Sequence, residues 1–209
     1  MAKQESIVIP AIEKKQVMIK VVGDSPLIMH KWSEKAKKEM LDKQMKVAKS
    51  KGHDAKNPIA DFIDSMYWLT DKPEEMTEEA FEKKIEDGAR FGFPSVAFKA
   101  AAVSGAFRAG AAKNKVSMQA AFHIDDEMVE IQSDAPVMRE DMVRVGMGTA
   151  DLRYRGEFRN WSATIPVTYC PSMISLEQVV NLFNLGGFAC GVGEWRVVKG
   201  GQFGMFHVE

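Results

Sequence analysis

Seven of the chain's sixteen glycines fall within the 21 residues from 186 to 206. Glycine tolerates positive φ and lets another backbone or a ligand come close. Such density makes this stretch a looped segment, and it holds Trp195, Arg196 and Lys199 as well. Two nucleotide-binding patterns fail on spacing. The dinucleotide fingerprint G-x-G-x-x-G would start at Gly191 and Gly193 but meets Arg196 where its third glycine belongs. The triphosphate loop G-x-x-x-x-G-K-[ST] has no match in the chain. What remains is a glycine-rich loop leading into a short closing strand, Phe203 to Val208, or else a long bulged hairpin.

With 209 residues, the chain supports a sizeable core, and the expected organisation is one domain with insertions at about 31–57 and 71–90. No apolar run reaches membrane-spanning length and no signal-peptide core is present. Cys170 and Cys190 lack metal-ligand spacing and fit a reducing compartment, so a cytoplasmic protein is expected. The formal net charge of −1 does not advertise a nucleic-acid binder. The charge is unevenly spread, however. Residues 31–51 carry eight Lys against three acids, and residues 71–87 carry eight acids against three Lys. Five Arg lie between 139 and 159 among four acids. Local potential, rather than the sum, governs contact with phosphate.

After a polar arm containing Ile7-Val8-Ile9, Val17, Ile19 and Val21 alternate with polar positions and predict a strand. Gly23-Asp24-Ser25-Pro26 ends it, and the short apolar run Leu27 to His30 follows. A Lys-rich helix is predicted from near Ser33, with Trp32, Ala36, Met40, Leu41, Met45 and Ala48 at helical spacing and Gly52 as its stop. Asn57-Pro58 opens a short helix through Ile63, and Met66 to Leu69 reads as strand. The acidic stretch 71–88, with a helix seeded at Thr77, reads as a surface insertion. Ser95 is expected to cap a helix with Val96, Ala100, Val103 and Phe107 on one face, its other small residues allowing close approach to a sheet. Strands are predicted at Met128–Gln132, Met142–Val145, Leu152–Phe158 and Ala163–Tyr169. Ser175 and Gln178 form a capping box for a helix with Leu176, Val179, Val180 and Phe183 as its apolar face, stopped by Gly186-Gly187.

Strand, helix, strands, helix, strand predicts an α+β fold. The expected form is a ferredoxin-like, RRM-like antiparallel sheet with two packed helices, 95–110 and 175–186, plus a Lys-rich helical insertion and an acidic insertion.

Three stretches taken in order resemble the RAMP superfamily of CRISPR-associated proteins, particularly its backbone subunits and prophage-type proteins like them. Gly92-Phe93-Pro94-Ser95-Val96-Ala97-Phe98-Lys99-Ala100-Ala101 is similar to the family's Pro-x-Ser-x-x-Lys-Gly start of a helix, with Ala100 standing where Gly is frequent. Gly191-Val192-Gly193 through Gly201-Gln202-Phe203-Gly204-Met205-Phe206 resembles its glycine-rich loop before the last strand. Val17 to Leu27 resembles its opening strand. The resemblance implies a protein that binds single-stranded RNA or DNA and assembles into a homo-oligomer along the strand, with no small-molecule cofactor and no membrane. The setting would be a bacterial or phage-infected cell.

Single strands are held by basic groups on phosphates and by flat side chains on bases. The glycine-rich loop, with Gly191 and Gly193, is a candidate nest of backbone N–H groups for a phosphate, with Arg196 and Lys199 adding charge and Trp195 a stacking surface. Lys99 near a helix N-terminus and Arg108 are further candidates. So are Arg153, Arg155, Arg159 and Trp161. The alternative roles are core packing for Trp195, pairing of Arg153 and Arg155 with Asp151 and Glu157, and snorkelling of Lys99 over small residues. Among His30, His53, His123 and His207, His30 is the one candidate for catalysis, as in a metal-independent ribonuclease of the same fold. No triad order, metal spacing or close His pair accompanies it. A phage-type assembly or host-interaction protein without nucleic-acid affinity is the third reading, favoured by the near-neutral charge.

Overall fold

The computed structural model describes residues 11–47, 55–146 and 148–209. The expectations for the arm at 7–9 and for Ala48, Gly52 and His53 lie outside them, as do those for the side chain of Ala36. Strand β1 (Lys15–Gly23) buries Ile19 and Val21 and exposes Gln16, Met18 and Lys20, the period-2 pattern of a one-sided sheet. β2 (Leu27–Met29) is wholly buried. β3 is Phe91–Pro94, β4 Phe122–Ile124, β5 Met128–Gln132, β6 Val137–Val145, β7 Thr149–Phe158, β8 Ser162–Tyr169 and β9 Phe206–Val208. The main sheet runs β3-β5-β8-β1-β9, every neighbouring pair antiparallel, with Ile19 opposite Ile165. β4 pairs with β8 through Tyr169 to Val167, and β5 pairs with β8 through Ala163 and Ser162, so the two share one partner strand end to end. A second sheet, β2-β7-β6, is built on the hairpin of β6 and β7.

The helices are α1 (Glu34–Gln44), α2 (Pro58–Asp64), α3 (Glu78–Glu86), α4 (Ser95–Arg108), α5 (Lys115–Ala121) and α6 (Leu176–Ala189). The fold is therefore α+β, with the packed pair α4 and α6 covering the buried face of the main sheet. Phe98, Val179 and Phe183 join Ile19, Val21, Ile165 and Val167 in one core. The capping box at Ser175 is present, with Gln178 N donating to Ser175 Oγ at 3.2 Å.

Several local expectations are corrected. Ser95 does not cap α4; Pro94 stands at the cap and Ser95 is a buried first-turn residue. The face of α4 that packs is Phe98, Ala101, Ala102, Val103, Gly105 and Ala106, whereas Val96 is 68% and Phe107 45% exposed. A helix made almost entirely of small and apolar residues has too weak a periodicity to mark its own inner face. Its small residues approach α6 rather than the sheet. Gly186 and Gly187 do not stop α6, which continues to Ala189; they are packing positions inside it. Leu176 is exposed, and Leu182 replaces it on the inner face. The closing strand is shorter than 203–208, and Phe203 forms only an isolated parallel bridge with Arg196. Trp68 likewise makes a lone bridge to Phe91 in place of a strand at 66–69. The acidic segment is not purely surface, because Phe81 of α3 is buried with its ring centroid 4.9 Å from that of Phe62.

Among the described residues no helix is long and apolar enough to cross a membrane.

Candidate nucleic-acid interface

The loop after α6 folds back over β2. Gly191 N donates to Gly186 O (2.9 Å), Val192 N to Gly204 O (2.9 Å), Glu194 N to Ile28 O (2.9 Å) and Gly204 N to Pro26 O (2.8 Å). The N–H groups of Val198, Lys199, Gly200, Gly201 and Phe203 also donate to carbonyls of the loop or helix end. The expectation of an open nest of N–H groups at Gly191 and Gly193 is therefore corrected: most of those donors are spent inside the protein, where buried backbone must find partners. The glycines are there for close packing. At Gly193 φ is +80°, and a Cβ would lie 2.5 Å from Ile28 O. A Cβ at Gly204, where φ is +65°, would collide with the Val192 carbonyl.

Held this way, the loop forms one wall of a cleft of about 450 Å³ whose other wall is α4. Ala97, Ala100, Ala101 and Ser104 give that helix a flat face. Arg108, Lys115, Arg196 and Lys199 line the cleft against a single carboxylate, Glu194. Arg108 and Lys199 are exposed and make no ion pair among the described residues. Arg196 is tied down, its Nη1 donating to Gly193 O at 2.7 Å, which makes it a brace of the loop. Lys115, which starts α5, was not legible as a site residue; Asn114 capping that helix is the signal that would have placed it.

A second cavity, about 680 Å³, lies between α1, α2 and the β6–β7 hairpin, and His30 and Glu194 line both. Its charge is mixed, with Lys31, Lys43 and Arg153 facing Glu39, Asp61 and Asp64. Arg153 is paired with Asp151 at 2.8 Å, as its alternative role expected. His30 Nδ1 lies 3.5 Å from Arg155 Nη2 and 3.9 Å from Glu194 Oε1. Since a guanidinium only donates, Nδ1 is the acceptor and the proton sits on Nε2. Burial, and then the Arg155 charge, push the imidazole below its usual value of 6.5. His30 is a neutral, half-buried ring at the point where the cavities adjoin.

Arg155 is not a surface contact. It is buried, with Nη1 donating to Asp141 Oδ2 at 2.9 Å, and its pairing partner is Asp141 rather than Glu157. Arg139 bridges Asp141 (2.9 Å) and Glu157 (3.0 Å), and Arg159 closes the row on Glu157 (2.8 Å). Burial raises both carboxyls, but the arginine hydrogen bonds outweigh it and hold Asp141 and Glu157 below the ordinary carboxylate range. The Arg155 guanidinium lies 6.0 Å from the Trp195 ring centre, and Arg139 lies 4.6 Å from that of Phe203. This row of charges clamps the hairpin to the glycine-rich loop. Trp195 is 37% exposed at φ +51° and faces the clamp.

Trp161 is a core residue, its Nε1 donating to Ser25 O at 2.8 Å, so it offers no stacking face. Lys99 turns away from the cleft, reaching His123 Nδ1 at 3.2 Å over the Phe122 ring, and burial lowers its pKa. Of the sequence candidates, the fold thus brings Arg108, Gly191, Gly193, Arg196 and Lys199 to one cleft and Arg153 and Arg155 to its neighbour. Lys99, Arg159 and Trp161 lie elsewhere. The open face of the main sheet, including Gln16, Met18, Lys20, Thr164 and Thr168, presents no Phe, Tyr or Trp at the described positions. Among the described residues no group of three or more His, Cys, Asp or Glu is placed to hold a metal.

No protein-family model matches the chain, and no curated protein sequence matches it.

Proposed function

We propose that the chain is a non-catalytic, single-strand nucleic-acid-binding protein of the cytoplasm, with a ferredoxin-like core resembling the RAMP superfamily and with copies associating along the strand. The strand order supports the core assignment. Counting β1, α4, β5, β8, α6 and β9 as the βαββαβ unit, the sheet reads fourth, first, third, second, with both helices on one face. The observation that carries the function is the cleft between α4 and the glycine-rich loop, lined by four cations and one carboxylate in a chain of net charge −1. That concentration of charge over a flat small-residue wall suits a phosphodiester backbone with a base laid against the helix.

One observation favours a second reading, a metal-independent ribonuclease. His30 is held neutral beside a buried arginine and the cleft, the state that a general base needs. Binding of labelled single-stranded RNA and DNA, followed against salt, separates the readings. Affinity that falls steeply with salt supports strand binding. Shortening of the RNA, lost in His30→Asn, supports the nuclease. Absence of binding at low salt overturns both and leaves an assembly or host-interaction role.

A further inference from the structure

α1 is an amphipathic helix whose apolar side is left uncovered. Glu39, Met40 and Lys43 line the cavity between α1, α2 and the hairpin. At 100° per residue Leu41 stands on the opposite side, as does Met45, just past the helix end with its N–H donating to Leu41 O, and Lys37 and Lys38 flank them. Leu41 is 53% and Met45 66% exposed. Lys37 on that side is ion-paired with Glu34 at 2.7 Å, and Lys38 makes no ion pair among the described residues, so the exposed apolar pair is edged by a basic side chain.

The same chain carries a groove of matching character. Between α2, α3 and the start of β6 lies a cavity of about 630 Å³ floored by Phe62, Phe81, Ile85 and Met138. Glu78, Glu82 and Glu86 line it, each four residues from the next and therefore in one row along α3. No basic side chain lines it, and none of the three carboxylates has an ion-pair partner among the described residues. Asp61 and Asp64 of α2 face the cavity beneath α1, while Ile59 and Phe62 face the acidic groove, so helix and groove lie on opposite sides of α2. Both surfaces are satisfied together by a second copy of the chain.

We propose that α1 of one molecule, through Leu41 and Met45 flanked by Lys37 and Lys38, seats in the acid-rimmed groove between α2, α3 and β6 of the next. Two different patches meet, so the contact is heterologous and propagates head to tail. The inference deepens the self-association included in the function proposed above and does not depend on strand binding, so assembly is followed without nucleic acid and RNA binding is measured separately.

The full chain is followed by light scattering against concentration at low salt, where such charges are least screened. Two variants are compared: Lys37→Glu/Lys38→Glu, with a defective helix face, and Glu78→Lys/Glu82→Lys, with a defective groove. Each alone stays monomeric where the wild type assembles. Mixed in equal amounts they co-assemble into alternating chains, because every contact between unlike variants pairs opposite charges, either as in the wild type or reversed. The chain with all four changes assembles again, within about tenfold of the wild-type affinity, since the charges are complementary once more. Circular dichroism checks that every variant is folded. A wild type that stays monomeric up to roughly millimolar concentration, variants that assemble unchanged, or a mixture that stays monomeric would each overturn the proposal. If assembly survives the charge changes but Lys37→Glu/Lys38→Glu weakens RNA binding, the helix is a strand contact and the proposal is wrong.

Discussion

Gly105 of α4 and Gly186 of α6 meet backbone to backbone: a Cβ on Gly105 would lie 2.6 Å from Gly186 N, and one on Gly186 would lie 2.6 Å from Ala102 N. Neither neighbour is a flexible side chain, so neither can yield cheaply. This contact sets the spacing of the two helices and, through α4, the width of the basic cleft.

Gly105→Ala is therefore expected to destabilise by about 2–3 kcal/mol, the upper part of the range for overpacking. Gly186→Ala should cost a similar amount, and the double variant less than the sum, because both open the same gap. Urea unfolding midpoints measure all three. An unchanged midpoint for Gly105→Ala would show that the helices separate freely.

Asp141 holds a buried arginine, so the order in which the pair is dismantled matters. Asp141→Ala leaves Arg155 buried without its carboxylate and is expected to cost roughly 3–5 kcal/mol. The double change Asp141→Leu/Arg155→Met removes both charges and should cost much less. Acid reports the same clamp. Asp141 and Glu157 have lowered pKa values in the fold, so their stabilisation is complete above their ordinary values of 3.8 and 4.5. It is lost as pH falls through the lower folded values. Thermal unfolding from pH 5 to pH 2, wild type against the double variant, isolates the Asp141 share of that loss, since Glu157 keeps Arg139 and Arg159.

Arg108 and Lys199 are the cleft cations without structural duties. Their joint replacement by Ala is expected to weaken single-strand binding at least about tenfold and to lower the salt dependence by roughly two phosphate contacts. Lys83→Ala/Lys84→Ala on α3 is the control and should change little. Equal effects would replace a defined cleft with a diffuse field. Arg196 is the wrong residue for this test, since its loss frees the Gly193 carbonyl and loosens the loop.

His30 is expected to titrate below 6.5, read from its imidazole proton shifts. With the folded value depressed, the unfolded chain binds more protons. His30 therefore contributes a stability that is full above pH 6.5 and falls away as pH drops toward the folded value. His30→Asn should flatten the stability slope between pH 7 and pH 5. A shift of the resonance to a value above 6.5 would mean that Glu194, rather than burial and Arg155, governs the ring.

The order of the core was legible because β1, β5 and β8 alternate strictly and Ser175 caps α6 in a way that sequence records. β3 and β4 were not legible, being three or four residues long and placed by pairing with β5 and β8 rather than by their own pattern. At the site, Arg108 and Lys199, legible as charges in the sequence, come together in one cleft. The role of the glycines was misread, since glycine that admits a phosphate and glycine that admits a neighbouring carbonyl look the same in sequence. Trp161 misled for a related reason: its neighbours Arg159 and Asn160 are polar, yet the chain turns at Asn160, where φ is +49°, and the ring goes inward.

Trp195 belongs to two parts of the molecule at once, its backbone to the wall of the cleft and its ring to the hairpin. The cleft therefore has no independently hinged lip. Any widening of it has to carry along the Trp195 ring that lies against Arg155, and so the middle of the hairpin, where Arg155 is held by Asp141.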